Sequence, residues 1–215
     1  MLGRSNVLAW LAGATALGFC LAHSAHAAGD PVAGEKKFYT CYGCHGIVNY
    51  RNAYPDYNVP KLRHQNAAYI VAALHEYKNG DRPHPTMHAQ ASSLSDQDME
   101  DIAAYLQGPE PVNPAGAPSG ELPKQATPCT ACHGVNGRGV AAALDPKPPI
   151  LAGQYESYLI EALKAYHNRR RKNVVMNGMA QLLVTDEDIK AVAEYFSNQP
   201  SPLETPNPDN PPEGK

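Results

Sequence analysis

Cys41, Cys44 and His45 stand together in Cys41-Tyr42-Gly43-Cys44-His45, and Cys129, Cys132 and His133 repeat the order in Cys129-Thr130-Ala131-Cys132-His133. Two thiols separated by two residues and followed at once by an imidazole read as the attachment site of a c-type haem. Each thiol adds across one porphyrin vinyl group to form a thioether, and the adjoining histidine is carried under the iron as its proximal ligand. The same Cys-x-x-Cys spacing also serves zinc sites and redox dithiols. A zinc site needs four donors arranged as a tetrahedron, however, and a dithiol has no use for the histidine. The recurrence of the whole pentapeptide favours two haems.

An iron held by one histidine keeps its other face open for chemistry or has it closed for electron transfer. Met87 lies 46 residues after Cys41, in the stretch Arg82-Pro83-His84-Pro85-Thr86-Met87, which its prolines predict to be extended. Met176 lies 47 residues after Cys129, and Met179 lies 50 after it. The offset between Met87 and Met176 is 89, the offset of the flanking sequence, so repeat register puts Met176 ahead of Met179. A methionine is often only a core gap-filler. Met87, though, sits among His84, Thr86, His88 and Gln90, on no apolar face. His84 and His88 compete with it as ligands, but no histidine occupies the equivalent stretch near Met176, and both are expected to be exposed.

The far ring nitrogen of a ligating histidine needs an acceptor that fixes the ring and tunes its basicity. Pro60 before Lys61-Leu62 and Pro149 before Ile150-Leu151 stand 89 apart, and their carbonyls are candidates for that acceptor. The alternative is that both prolines merely end loops.

These groups must be positioned by helices. Asp30-Pro31 offers an N-cap and a proline at the first helical position, predicting a short helix that delivers the chain to Cys41. Residues 46–59 carry no helical period and read as a loop along a haem edge. Ile70, Ala73, Leu74 and Tyr77 follow the i, i+3, i+4, i+7 pattern of an amphipathic helix that stops at Asn79-Gly80. Ser95 and Asp98 predict a capped helix whose apolar face is Met99, Ile102, Ala103 and Leu106. A first domain is thus expected over 28–107. Residues 108–128, with six prolines and three glycines, read as a semi-rigid linker.

Beyond the linker the sequence repeats itself. Gln65, Tyr69, Leu74 and Tyr77 return 89 residues later as Gln154, Tyr158, Leu163 and Tyr166; Ser95, Asp98, Ile102 and Tyr105 return 90 later as Thr185, Asp188, Val192 and Tyr195. Tandem duplication explains offsets this steady and predicts a second domain over 129–199. Pro123 and Pro128 interrupt the region before Cys129, so its entering helix is expected to be short or absent. The proline-rich tail, 200–215, is expected to be poorly ordered. Arg169, Arg170, Arg171 and Lys172 form the one dense basic run. Such runs are mostly solvated surface, although this one should lie near a haem edge, where it would neutralise propionates or dock an acidic partner.

Ahead of all this, Arg4, the apolar run Val7–Ala22 and Ala25-His26-Ala27 read as a secretory signal over 1–27. The run is shorter than the ~20 residues a membrane-spanning helix needs, so no stable membrane insertion is expected after cleavage. Phe19 before Cys20, where a small residue would be needed, argues against a lipoprotein cysteine. Removal of the signal leaves four cysteines, all in the two pentapeptides, and 17 basic against 21 acidic side chains. That balance gives no support for nucleic-acid binding.

The two pentapeptides, Pro60-Lys61-Leu62 and Pro149-Ile150-Leu151, and the two methionine stretches with their following helices resemble the di-haem class I c-type cytochromes of the cytochrome c4 group. That pattern is also seen as the cytochrome subunit of flavin-containing sulfide dehydrogenases. The resemblance spans roughly Asp30 to Asn198. It implies an all-α fold of two tandem cytochrome c-like domains related by a pseudo-twofold axis, each wrapped around one covalent haem c. It supports Met87 and Met176 as sixth ligands beside His45 and His133. The implied function is single-electron transfer in the periplasm, without bond-making of its own, between partners such as a terminal oxidase, a quinol-oxidising complex or a flavoprotein dehydrogenase. Two rivals stand beside this free carrier: the electron-accepting subunit of a flavin dehydrogenase, and a haem enzyme, either a peroxidase or an oxidoreductase of sulfur compounds. One departure is that Met176 to Thr185 is one residue longer than Met87 to Ser95, which keeps Met179 as an alternative.

Overall fold

The Asp30 carboxylate accepts from the backbone N–H groups of Val32 and Ala33, and with Pro31 at the first position this opens helix α1, Pro31–Lys37. A computed structural model of the chain describes residues 29–109, 116–139 and 147–208; the expected signal over 1–27 lies outside them. A 3-10 turn, Phe38–Cys41, leads into the single helical turn α2, Tyr42–His45. Residues 46–59 are irregular as expected, closed by one isolated bridge between Arg51 and Asn58. Helix α3, Ala67–Asn79, ends at Gly80 with φ 85°, the left-handed cap that glycine adopts without strain. Helix α4, Pro85–Ser92, precedes α5, Asp96–Gln107, whose capping box joins Ser95 and Asp98.

The predicted apolar face of α5 is the one that packs. Met99, Ile102, Ala103 and Leu106 are buried, and α1 and α3 lie across that helix. Gly34 makes the α1–α5 crossing possible, because a Cβ there would meet the Asp101 carbonyl oxygen at 2.0 Å. Phe38, Ile70, Ile102, Tyr105 and Leu106 form the first core.

The second half reuses the plan. A 3-10 turn, Lys124–Cys129, leads into α6, Thr130–His133; then come α7, Glu156–His167, α8, Val174–Ala180, and α9, Asp186–Ser197, capped by a Thr185–Asp188 box. The entering helix is reduced to that 3-10 turn, as the prolines predict, and it packs on α9 where α1 packs on α5. Ala126, fully buried, joins Leu159, Leu183, Ile189, Val192 and Phe196 in the second core. Residues 124–128 thus pack against the second core. Earlier in that stretch, Ser119 exchanges hydrogen bonds with the Gln199 side chain in both directions, at 2.9 and 2.8 Å.

The two halves meet in a seam whose bonds recur with the roles exchanged. Gln65 of the first half grips Ile150 of the second, and Gln154 of the second grips Lys61 of the first. That reciprocity is the mark of an isologous interface. Among the described residues there is no sheet, and the architecture is all-α, as expected.

Three expectations need correction. Met87 is not on extended chain: Pro85 takes the first helical position of α4 and the His84 side chain caps it, so the X-Pro pair starts a helix. The tail is not free over 201–208. Leu203 and Pro206 are buried, and Glu204 pairs with Arg63 through N–H···O bonds of 3.0 and 3.3 Å, tying the C-terminal segment to the first domain. Residues 209–215 lie outside the described region. Nor is the basic run all solvated surface: Arg171 is only 7% exposed, stacked between the rings of Tyr158 and Tyr166.

Candidate haem sites

A helical turn explains how the first pentapeptide works. Cys41 and Cys44, three apart, share one side of the turn formed by the 3-10 segment and α2, and His45 follows one step on. His45 is half-buried, and its Nδ1 lies 3.1 Å from the Pro60 carbonyl oxygen. A carbonyl can only accept, so Nδ1 carries the proton and Nε2 is left with its lone pair. Burial lowers the His45 pKa to about 4, against the opposing pull of the Pro60 bond, so the ring is neutral at ordinary pH. The second site repeats the arrangement: His133 is 6% exposed, its pKa is likewise lowered by burial, and its Nδ1 lies 3.1 Å from the Pro149 carbonyl oxygen. Both prolines are thus the acceptors that spacing singled out. Burial also pushes the Cys41 and Cys129 thiols up.

One cavity of the first domain gathers Cys41, Cys44 and His45 together with Met87, walled by Phe38, Leu62, Ile70, Leu74 and Leu106. Tyr158 closes it from the other domain. Met87 is held at the start of α4, its N–H donating to His84 Nδ1 at 3.3 Å. That bond occupies His84, which stands edge-on to Tyr77 and is half-buried, not exposed as expected. His88 is exposed and points its Nδ1 to the Tyr77 carbonyl at 2.9 Å.

In the second domain Asn173 Oδ1 accepts from the Met176 N–H at 3.0 Å, as His84 does for Met87, and the two capping residues stand 89 apart. Met179 corresponds at the same offset to Gln90, which lines the first cavity beside Met87. Part of the stretch between the second pentapeptide and Pro149, residues 140–146, lies outside the described residues.

The cavity also holds a residue that spacing did not mark. Arg82 is 2% exposed, bridges to Glu76 at 2.7 Å and stacks over Tyr69 and Tyr77, yet its Nε has no partner. A buried donor costs free energy until an acceptor meets it. A porphyrin carboxylate is such an acceptor, so the apolar walls, two thiols, a neutral imidazole and an under-satisfied guanidinium all fit a haem. Among the described residues no cluster of three or more His, Cys, Asp or Glu side chains is arranged to hold a bare metal ion. The 89-residue offset linking Arg82 to Arg171 was the available signal for this pair.

The cytochrome c family model matches the chain twice, over residues 31–108 and 124–200. The chain is 33% identical over 187 residues to cytochrome c4 of Pseudomonas aeruginosa, covering 80% of this chain and 90% of that protein. It is also 33% identical over 174 residues to the thiosulfate dehydrogenase electron acceptor of Stutzerimonas stutzeri, covering 74% and 78%. Among solved structures, reduced cytochrome c4 from Pseudomonas stutzeri superposes with a TM-score of 0.61 at 29% identity, over 80% of this chain and 100% of that one.

Proposed function

The chain belongs to the cytochrome c family through both of its halves and is an electron-transfer protein with two covalent haem c groups, and we propose that it is a periplasmic carrier whose irons are both closed to substrate. In this reading His45 and Met87 hold the first iron, and His133 and Met176 hold the second. The carrying observation is that His45 and Met87 line one cavity with Cys41 and Cys44. Met176 is preferred to Met179 because it shares Met87's place on a capped helix, whereas Met179 falls at the place of Gln90. Export rests on the composition of 1–27, and among the described residues no helix is long and apolar enough to cross a membrane.

The haem supplies a reversible Fe(III)/Fe(II) couple. The chain's part is to exclude water with the apolar wall, to hold the imidazoles neutral and oriented through Pro60 and Pro149, and to meet buried negative charge with Arg82. Its partners are redox proteins: a terminal oxidase, a quinol-oxidising complex or a flavoprotein dehydrogenase. A second reading, the electron-accepting subunit of a dehydrogenase complex, is favoured by the likeness to a thiosulfate dehydrogenase electron acceptor. Carbon monoxide addition to the reduced protein tests the closed irons: neither haem should bind it rapidly, and rapid binding at one haem would move the protein to the haem enzymes. Purification without a flavin-bearing or thiosulfate-oxidising chain separates free carrier from subunit.

A further inference from the structure

We infer that each seam glutamine tunes the proximal histidine of the opposite domain through a single peptide group. The carbonyl of Pro60, which accepts from His45 Nδ1 at 3.1 Å, and the N–H of Lys61 belong to one peptide unit. That N–H donates to Gln154 Oε1 of the second domain at 3.0 Å, and Gln154 Nε2 returns a bond to the Lys61 carbonyl at 3.0 Å. The chain His45–Pro60/Lys61–Gln154 is therefore continuous. Its counterpart runs the other way: His133 Nδ1 to the Pro149 carbonyl at 3.1 Å, then the Ile150 N–H to Gln65 Oε1 of the first domain at 2.8 Å.

The glutamines are built for this task. They are 2% and 4% exposed, so water cannot replace them. Each Oε1 also accepts the N–H of the next residue in its own chain, Asn66 at 2.9 Å and Tyr155 at 3.0 Å, which fixes the side chain before it reaches across. Those two residues are the N-caps of α3 and α7, so the amides are mounted on helix starts. A peptide whose N–H is bonded has a more negative carbonyl oxygen, since linked hydrogen bonds polarise one another. A stronger acceptor at Nδ1 gives a more basic imidazole, and a more basic imidazole favours the ferric state. Removing a glutamine should thus move the other domain's haem toward the ferrous state. Docking of the two domains becomes part of what sets each potential.

The inference rests on His45 and His133 as iron ligands. Its test uses the full holoprotein with Gln154→Leu, Gln65→Leu and, as a control, Ser157→Ala. Ser157 bonds Asn58 across the seam at 3.0 and 2.7 Å without touching either peptide chain. Haem-methyl proton signals, assigned to their domain by through-space contacts, report each haem during stepwise oxidation. Gln154→Leu should shift the ferric-to-ferrous ratio of the Cys41–His45 haem about fivefold toward ferrous, the scale of one net hydrogen bond, and leave the other unmoved. The His45 Nδ1 proton should move upfield in the reduced protein. Gln65→Leu should do the same to the Cys129–His133 haem, so the loss of either variant to misfolding leaves the other as the test. Equal shifts at both haems, a shift in the same domain as the substitution, an equal effect of Ser157→Ala, or no shift would overturn the inference. A wild-type spectrum without histidine ligation would instead overturn the ligand reading on which it stands.

Discussion

The guanidinium of Arg82 reaches across the domain seam to the hydroxyl of Tyr166, donating from Nη2 at 3.4 Å. Its counterpart Arg171 stacks on Tyr158 and on that same Tyr166, so two buried cations and four tyrosines fill the space between the domains. Arg82→Leu would leave Glu76 without its buried partner. We expect it to cost about 3 kcal/mol, read as a fall of roughly 6–12 °C in melting temperature. Arg82→Lys should rescue little of this, because an ammonium cannot reproduce a planar fork stacked on rings. A melting temperature unchanged by Arg82→Leu would mean that the cluster does not hold the seam.

The methionines proposed as axial ligands are separable by substitution. In the oxidised protein, Met87→Ala and Met176→Ala should each remove about half of the near-red thioether-to-iron absorption, one iron at a time. Met179→Ala should remove none. If Met179→Ala abolished the band that Met176→Ala left intact, the second ligand would be reassigned by one helical turn.

The repeat makes the helices and both haem attachments legible in the sequence, because duplication at offsets of 89 and 90 preserves whatever packs. Cap and period signals at Asp30, Ser95 and Asn79-Gly80 acted locally and so appeared in the structure as expected. Three features escaped. The prolines before Met87 predict extended chain, whereas Pro85 is a first-position helix starter with His84 capping it. Leu203 lies in a proline-rich segment held by distant partners, among them the Arg63 backbone, the Ala152 carbonyl and the Tyr155 hydroxyl, contacts that no local pattern carries. Arg171 stands inside a run that looks solvated, but Tyr158 and Tyr166 of the preceding helix α7 bury it.

The C-terminal segment should contribute to the stability of the first domain. Leu203→Ala is expected to cost about 2–3 kcal/mol, the usual range for a buried leucine with partial collapse around it. Truncation after Gln199 should cost more, since it also removes the Arg63–Glu204 pairing. Denaturant midpoints of the holoprotein read both. An unaltered midpoint for the truncation would show that the segment rests on the surface without stabilising it.

Acid should loosen the α1–α5 contact. Lys37 bonds Asp98 and approaches Asp101 at 3.5 Å, and the Lys37 bond, then the Ser95 cap, hold the Asp98 carboxyl well below its ordinary value. A depressed carboxylate stabilises the fold above its unfolded pKa, and the contribution is lost as pH falls through the folded value. Asp98→Asn should therefore flatten the decline of stability on the acid side of about pH 4. The effect should be small, as the pair is partly exposed and screened by salt. A steeper acid decline in Asp98→Asn would contradict the assignment.

The two-haem carrier proposed above is tested by one potentiometric titration followed in the visible and near-red, with the haem counted per chain. The expected result is two haems, two one-electron steps, low-spin spectra throughout, and a thioether-to-iron band whose intensity accounts for both irons when oxidised. One haem per chain, or a band matching a single iron with the other high-spin, would contradict it.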